Sequence, residues 1–300
     1  MKNVLSYYYN LHLSDIHQTE GIYRFNLNGI EYAFTLYKRN LNEIRELYEL
    51  SLLLFQNGIM VHQFVLNKEN QLITYVNQKP YVLLQIYNNS KQNITINDIN
   101  NFSFSSSTLK LPEKQVNWAN LWSDKIDYFE YQVNQFGKKN PLIRESFSYF
   151  SGLVENGISL FNILELDYNN YSVSHQRLSS KDTMFEFLNP MNLIIDYKVR
   201  DACEFYKEKF LNKQSISNQI KEYLSNKNLN VYEILLFFIR MFYPSFYFDK
   251  YEYIINNEED DYQLKNIIEL SDKYEKLLKE IYFYLSKYIN MPDIEWIKKT

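Results

Sequence analysis

Lys38, Glu49, Asp182 and Asp196 are residues of this 300-residue chain whose types and order could do chemistry together. That chemistry is phosphoryl transfer, which needs a cation on the phosphates, a carboxylate to hold that cation, oxygen ligands for magnesium and a base for the attacking hydroxyl. Lys38 follows the run Tyr32-Ala33-Phe34-Thr35-Leu36-Tyr37 and could supply the cation. Glu49 lies three and four residues before Leu52 and Leu53, at the border of an apolar face, and could hold it. Glu43 and Glu46 compete for that role. Ile194-Ile195-Asp196-Tyr197 has the hydrophobic-hydrophobic-Asp-aromatic form of a metal-binding aspartate, and Asp182, fourteen residues earlier, offers a second oxygen ligand. Between them and the lysine stands Ser174-His175-Gln176-Arg177. Arg177 cannot accept a proton at any useful pH, so no base is evident.

A strand, a helix and a loop must position these residues. Residues 20–38 alternate around Asn28-Gly29, a strong short hairpin signal. Asn40 or Asn42 can cap a following helix whose apolar positions are Leu41, Ile44, Tyr48, Leu52 and Phe55, with Gly58 at its end. Strands are predicted over 60–66, 72–77 and 81–87. Residues 1–88 thus read as a β-rich lobe and the Asn- and Ser-rich 89–112 as a linker. Residues 113–300 read as a helical lobe. Its predicted helices cover 118–135, with Leu121, Ile126, Phe129 and Gln132 on one side, then 142–164, 200–210, 231–243 and 264–288. Short β-like pieces fall at 171–175 and 192–196, and the acidic Glu258-Glu259-Asp260-Asp261 reads as a solvated loop.

Composition removes several classes. A balance of 32 Lys plus Arg against 36 Asp plus Glu argues against a nucleic-acid partner. A single cysteine, Cys203, excludes an intrachain disulfide and a cysteine-cluster zinc site, and among apolar neighbours it reads as a buried small residue. His12, His17, His62 and His175 lack metal-ligand spacing. No signal peptide is read at the N-terminus. The most apolar run, 234–243, is cut by Arg240 and falls short of the ~20 residues of a membrane span. With six glycines there is no P-loop and no dinucleotide fingerprint, and only Gly21 lies in the hairpin expected over the phosphates.

A small β-rich lobe, a linker and a larger helical lobe make up the α+β layout of two-lobe, protein-kinase-like phosphotransferases of the aminoglycoside and choline kinase type. In those the loop reads His-Gly-Asp, four residues, then Asn. Here Arg177 stands at the aspartate and Asp182 at the asparagine. Four stretches carry a closer resemblance. They are Tyr149-Phe150-Ser151-Gly152-Leu153-Val154-Glu155-Asn156-Gly157-Ile158, His175-Gln176-Arg177, Asp196 to Glu204, and Arg240-Met241-Phe242-Tyr243-Pro244-Ser245-Phe246-Tyr247-Phe248. The chain resembles the kinase-like spore coat proteins of the CotS/YutH family, the YutH type above all, departing at Gly157 for alanine and at Phe246 for histidine. Residues 292–296 also fit.

The resemblance implies a coat-associated protein with other spore coat proteins as partners, made in the mother-cell cytoplasm and carried to the coat. It also implies a structural, loop-bracing role for Asp201. Three functions are in view. The first is a pseudokinase scaffold, in which Arg177 pairs with Asp196 or Asp201 and puts a fixed cation where magnesium would sit. The second is an atypical phosphotransferase on a small hydroxylated or amino substrate, with Lys38 and Glu49 on ATP and Asp182 and Asp196 on Mg2+. The third, motivated by 28 tyrosines, is a cross-linked coat module.

Overall fold

Both central residues of the Asn28-Gly29 turn take positive φ, 52° and 81°. A two-residue hairpin needs that backbone to match the twist of its strands. Asn26 fastens the turn by accepting the Gly29 N–H at 3.1 Å. In the computed structural model, which describes residues 1–114, 116–164 and 171–298, this hairpin is the centre of a sheet. The elements run α1 (Lys2–Tyr9), β1 (His17–Thr19), β2 (Ile22–Leu27), β3 (Ile30–Leu36), α2 (Ile44–Gln56), β4 (Gln63–Val65), β5 (Thr74–Val76), β6 (Lys79–Ile86), α3 (Ile96–Ser107), α4 (Trp118–Phe136) and α5 (Pro141–Ile163). They continue β7 (Tyr171–His175), α6 (Met184–Phe187), β8 (Leu193–Tyr197), α7 (Arg200–Leu211), α8 (Ser217–Leu224), α9 (Val231–Met241), α10 (Ser245–Asn257), α11 (Lys265–Ile268), α12 (Ser271–Leu285) and α13 (Glu295–Lys298).

The chain forms two compact units, Met1–Leu109 with Val173–Ile194, and Lys110–Ser172 with Ile195–Thr300. The first is built on an antiparallel sheet of order β1-β2-β3-β6-β4, with β5 pairing β6. Alternation along β3 sends Phe34 to one face, with Phe25, Leu83 and Leu5 of α1. It sends Ala33 to the other face, where Tyr37 just past the strand also packs, with Val82, Leu84, Ile44 and Leu47 of α2, and Phe185 of α6. The α1 helix was not read from the sequence, and its one fully buried residue, Leu5, explains why it forms. Residues 89–112, read as a linker, contain the helix α3, started by a reciprocal capping box between Thr95 and Asp98.

The second unit is helical, with an aromatic core. Trp118 stacks on Trp122 at 5.5 Å, Phe129 on Phe248 at 5.3 Å and Phe150 on Tyr247 at 3.9 Å. The buried stripe of α4 contains Trp118, Trp122, Ile126 and Phe129, whereas Leu121, assigned to it from the sequence, is 58% exposed. The helix predicted over 264–288 divides into α11 and α12, and α10 and α8 are additional. Tyr206, Tyr247, Tyr251 and Tyr274 are fully buried, so much of the tyrosine content is core. Val231–Asn257 is long and apolar enough to cross a membrane, but most of it is buried in the protein and Pro244 divides it into α9 and α10. The acidic stretch is not wholly solvated: Asp261 is buried and accepts the N–H groups of Leu142 (2.7 Å) and Ile143 (3.3 Å) at the start of α5.

Candidate functional site

In the first unit, β3 ends at Leu36 and Lys38 lies beyond it, exposed to solvent. The α2-facing positions are Ala33, Thr35 and Tyr37; Thr35, opposite Val82 on β6, is buried. No lysine faces α2 from this strand. The buried stripe of α2 is Ile44, Leu47, Leu50, Ser51 and Leu54. That stripe turns Glu49 outward rather than to the border of the core, and Glu49 pairs with Arg45 at 3.0 Å, both side chains mostly in water. Among the described residues no ion pair joins Lys38 to Glu43, Glu46 or Glu49. The working cation at this corner is Arg39. Its Nε donates to Glu43 at 2.8 Å, and its Nη1 donates to the carbonyls of Met191 (3.2 Å) and Leu193 (2.7 Å).

The loop after β7 is held by side chains. His175 is buried between Phe102 and Phe187 (ring centroids 5.5 and 4.5 Å), and its Nε2 lies 2.7 Å from the Phe187 carbonyl. A carbonyl only accepts, so Nε2 carries the proton and the ring anchors the loop. Asn192 brackets Arg177 from both sides. Its Oδ1 accepts the Arg177 N–H at 3.1 Å and its Nδ2 donates to the Arg177 carbonyl at 2.6 Å. Gln176 donates its backbone N–H to the Asn192 carbonyl at 2.7 Å. Arg177 and Gln176 are exposed, and Asp182 accepts the Ser179 N–H at 2.8 Å, closing the turn that follows.

In the second unit Asp196 is buried and committed. Its Oδ1 accepts the Trp118 indole N–H (2.8 Å) and the Tyr197 N–H (2.7 Å); its Oδ2 accepts from Arg200 Nη1 at 2.7 Å. The cation assigned from the sequence to Arg177 is, for Asp196, Arg200 instead. A divalent ion on this carboxylate would sit against a guanidinium it must displace, so the donor set as arranged does not fit magnesium. Among the described residues no group of three or more His, Cys, Asp or Glu side chains is gathered as a metal site. Asp201, at the start of α7, is buried.

Behind Asp196 runs an ionic network the sequence reading did not find. Glu204 Oε1 accepts from Lys207 Nζ and Arg240 Nε, each at 2.9 Å, and Ser245 Oγ donates to Oε2. Lys207 Nζ also reaches the Tyr243 carbonyl at 2.8 Å. The Arg240 guanidinium lies 4.9, 5.6 and 5.4 Å from the rings of Trp118, Trp122 and Tyr243. Burial alone would raise the Glu204 carboxyl; Lys207, Arg240 and Arg200 outweigh it and hold the group well below the usual carboxylate range. Burial pushes the Cys203 thiol up, so it is an inert core group. In the motif helix, Asn156 accepts the Trp296 indole N–H at 3.2 Å, which ties α13 to α5.

The family model described as "Spore coat putative kinase YutH" matches residues 2–281. The chain belongs to this spore coat family. No curated protein matches the sequence. Among solved structures, spectinomycin phosphotransferase in complex with ADP and spectinomycin aligns over 95% of this chain and 97% of its own, with a TM-score of 0.61 at 12% identity. An aminoglycoside phosphotransferase from Alicyclobacillus acidocaldarius aligns over 96% of each chain, with a TM-score of 0.61 at 11% identity. The fold is therefore the protein-kinase-like, aminoglycoside phosphotransferase fold, and the family places the protein in a spore coat context.

Proposed function

We propose that this YutH-family protein is a pseudokinase: a kinase-shaped scaffold, made in the mother-cell cytoplasm and carried to the spore coat, where it holds other coat proteins. The observation that carries this reading is the Asp196–Arg200 pair, backed by the Trp118 indole. A phosphotransferase needs that aspartate for magnesium, and here its charge is already neutralised by an arginine of the same chain. Two further features support it. Thr35 holds the buried α2-facing place on β3, and Arg177 stands where a base would be needed. In the alternative, an atypical phosphotransferase, Lys38 and Glu49 would serve ATP, and Asp182 and Asp196 would serve Mg2+.

Calorimetric titration with magnesium-ATP separates the two. The scaffold reading expects no saturable heat at millimolar nucleotide. Saturable heat abolished in both Lys38→Ala and Asp196→Ala would overturn it and would justify a search for a substrate.

A further inference from the structure

Between α12 and α8 four lysines line a groove of about 320 Å³: Lys276 and Lys279 of α12, Lys287 just past its end and Lys221 of α8. Phe283 and Tyr284 form part of its wall, and the Tyr284 hydroxyl donates to the Lys221 carbonyl at 3.3 Å, which pins α12 to α8. Glu280 is the acid on the same wall and leaves three net positive charges. In a chain of net charge -4 this is a local inversion of sign. Phe283, 47% exposed, adds an apolar surface to the groove.

The same unit carries the complement. Helix α10 ends at Glu258, which takes a left-handed φ of 53°, and the chain then turns with Glu258, Glu259 and Asp260 exposed. Asp261 is turned inward, so three carboxylates face water, followed by Tyr262 at 62% exposure. Asp260 caps the following turn by accepting the Tyr262 N–H at 2.8 Å, which gives the acidic segment a defined shape. Lys265 Nζ donates to the Tyr262 hydroxyl at 3.2 Å and offsets one of the three carboxylates, so the turn stays net negative and opposite in sign to the groove, and each side carries an exposed aromatic.

We infer that the acidic turn 258–262 of one copy docks in the lysine groove of a second copy of this chain. Groove and turn are different surfaces, so the contact is head-to-tail: each copy that docks leaves one groove and one turn open, and assembly proceeds to a ring or a filament. This is how a coat component could build a lattice from one chain. The inference holds whether or not nucleotide binds.

Sedimentation velocity on the full chain tests it at about 20 mM and about 500 mM NaCl, because screening falls on surface charge pairs first. The expected result is a mass above the monomer that grows with concentration at low salt and returns to the monomer at high salt. Lys276→Glu with Lys287→Glu should remove association alone, as should Glu258→Lys with Glu259→Lys, each weakening it tenfold or more. Mixed together, the two variants pair an intact turn with an intact groove and a reversed turn with a reversed groove, so association should return that neither variant shows alone. All four positions are exposed, so unchanged melting of each variant checks the fold. A wild-type chain that stays monomeric at low salt would overturn the inference, and so would association surviving either charge reversal. Groove variants that lose binding to anionic vesicles or single-stranded nucleic acid while keeping their assembled mass would assign the groove to that partner and overturn it too.

Discussion

Arg200 decides what Asp196 can do. The carboxylate is 4% exposed and its cation comes from four residues along the same chain. Removing one member of a buried pair strands the other charge, which costs about 3 kcal/mol, whereas removing both costs less. Arg200→Ala should therefore lower the unfolding free energy in urea by that amount, and Asp196→Asn with Arg200→Ala should recover part of it; equal losses in single and double variants would contradict the coupling. His62 makes a second residue-scale statement. It is fully buried, accepts the Tyr87 N–H on Nδ1, and burial, with Arg24 nearby, lowers its pKa to about 4 against the weaker opposing pull of the Phe185 backbone and Glu186. The unfolded chain takes up that proton near pH ~6.5, so between there and pH ~4 the unfolded state binds more protons and stability is lost as the pH is lowered, by about 3 kcal/mol over the whole window. Comparing pH-dependent unfolding of wild type and His62→Phe measures it: the variant should lose about that much less across the window, and parallel curves would refute it. The Asp196–Arg200 pair has a spacing visible in sequence. What hides it is that Asp196 lies in the strand β8 and Arg200 begins the helix α7, so helical-spacing rules do not select it.

At the scale of elements, legibility followed the range of the deciding interaction. The Asn28-Gly29 turn is local and legible, and of the two cap candidates Asn40 and Asn42 the structure uses Asn40, whose Oδ1 accepts the Asn42 N–H at 3.0 Å. The Thr95–Asp98 capping box is equally local, but it sits in the Asn- and Ser-rich 89–112, whose composition is that of a linker. The stripes of α2 and α4 were misphased at Glu49 and Leu121, since several apolar registers fit a tyrosine- and leucine-rich helix and only packing chooses among them. The start of α5 falls within a residue of the predicted 142, but the group that caps it could not be read, because Asp261 lies 119 residues from Leu142. Helix α5 also shows why its motif has a small residue. A Cβ on Gly157 would stand 3.0 Å from Phe242 Cβ and 3.2 Å from Trp122 Cζ3. Alanine gains about 1 kcal/mol of helix preference over glycine, but overpacking a close contact costs about 1–3 kcal/mol, and Phe242 Cβ is rooted in backbone. Gly157→Ala should thus be destabilising by about 1 kcal/mol in urea denaturation despite its better helix propensity. A stabilised variant would show that α9 gives way.

For the whole molecule, the residues that carry the family resemblance turn out to be structural as much as chemical. Glu204, Arg240 and Ser245 come from two of the four motif stretches and hold one another, 36 and 41 residues apart in the chain. Asn156 and Trp296 do the same over 140 residues. Such pairings give the motifs a structural reason to be specific to this fold. The first unit makes the same point about where the chain can be cut. Its sheet is built from the first 86 residues, but its core takes Phe185 and Met191 onto the β3–β6 face, and Phe102 of α3 packs against His175 at a tilt and against Phe187 edge-on. A fragment ending at Leu109 would leave Ala33, Val82, Leu84 and Phe102 without those partners, opening cavities where large side chains now sit. Losing one buried phenylalanine costs about 3–5 kcal/mol, comparable to much of the stability of a domain this size. Residues 1–109 expressed alone should therefore show no cooperative melting transition and poor amide dispersion. A fragment that melts cooperatively would mean that α1, α2 and α3 suffice to close the sheet, and that Phe185 and Phe187 are covered by it rather than required for it.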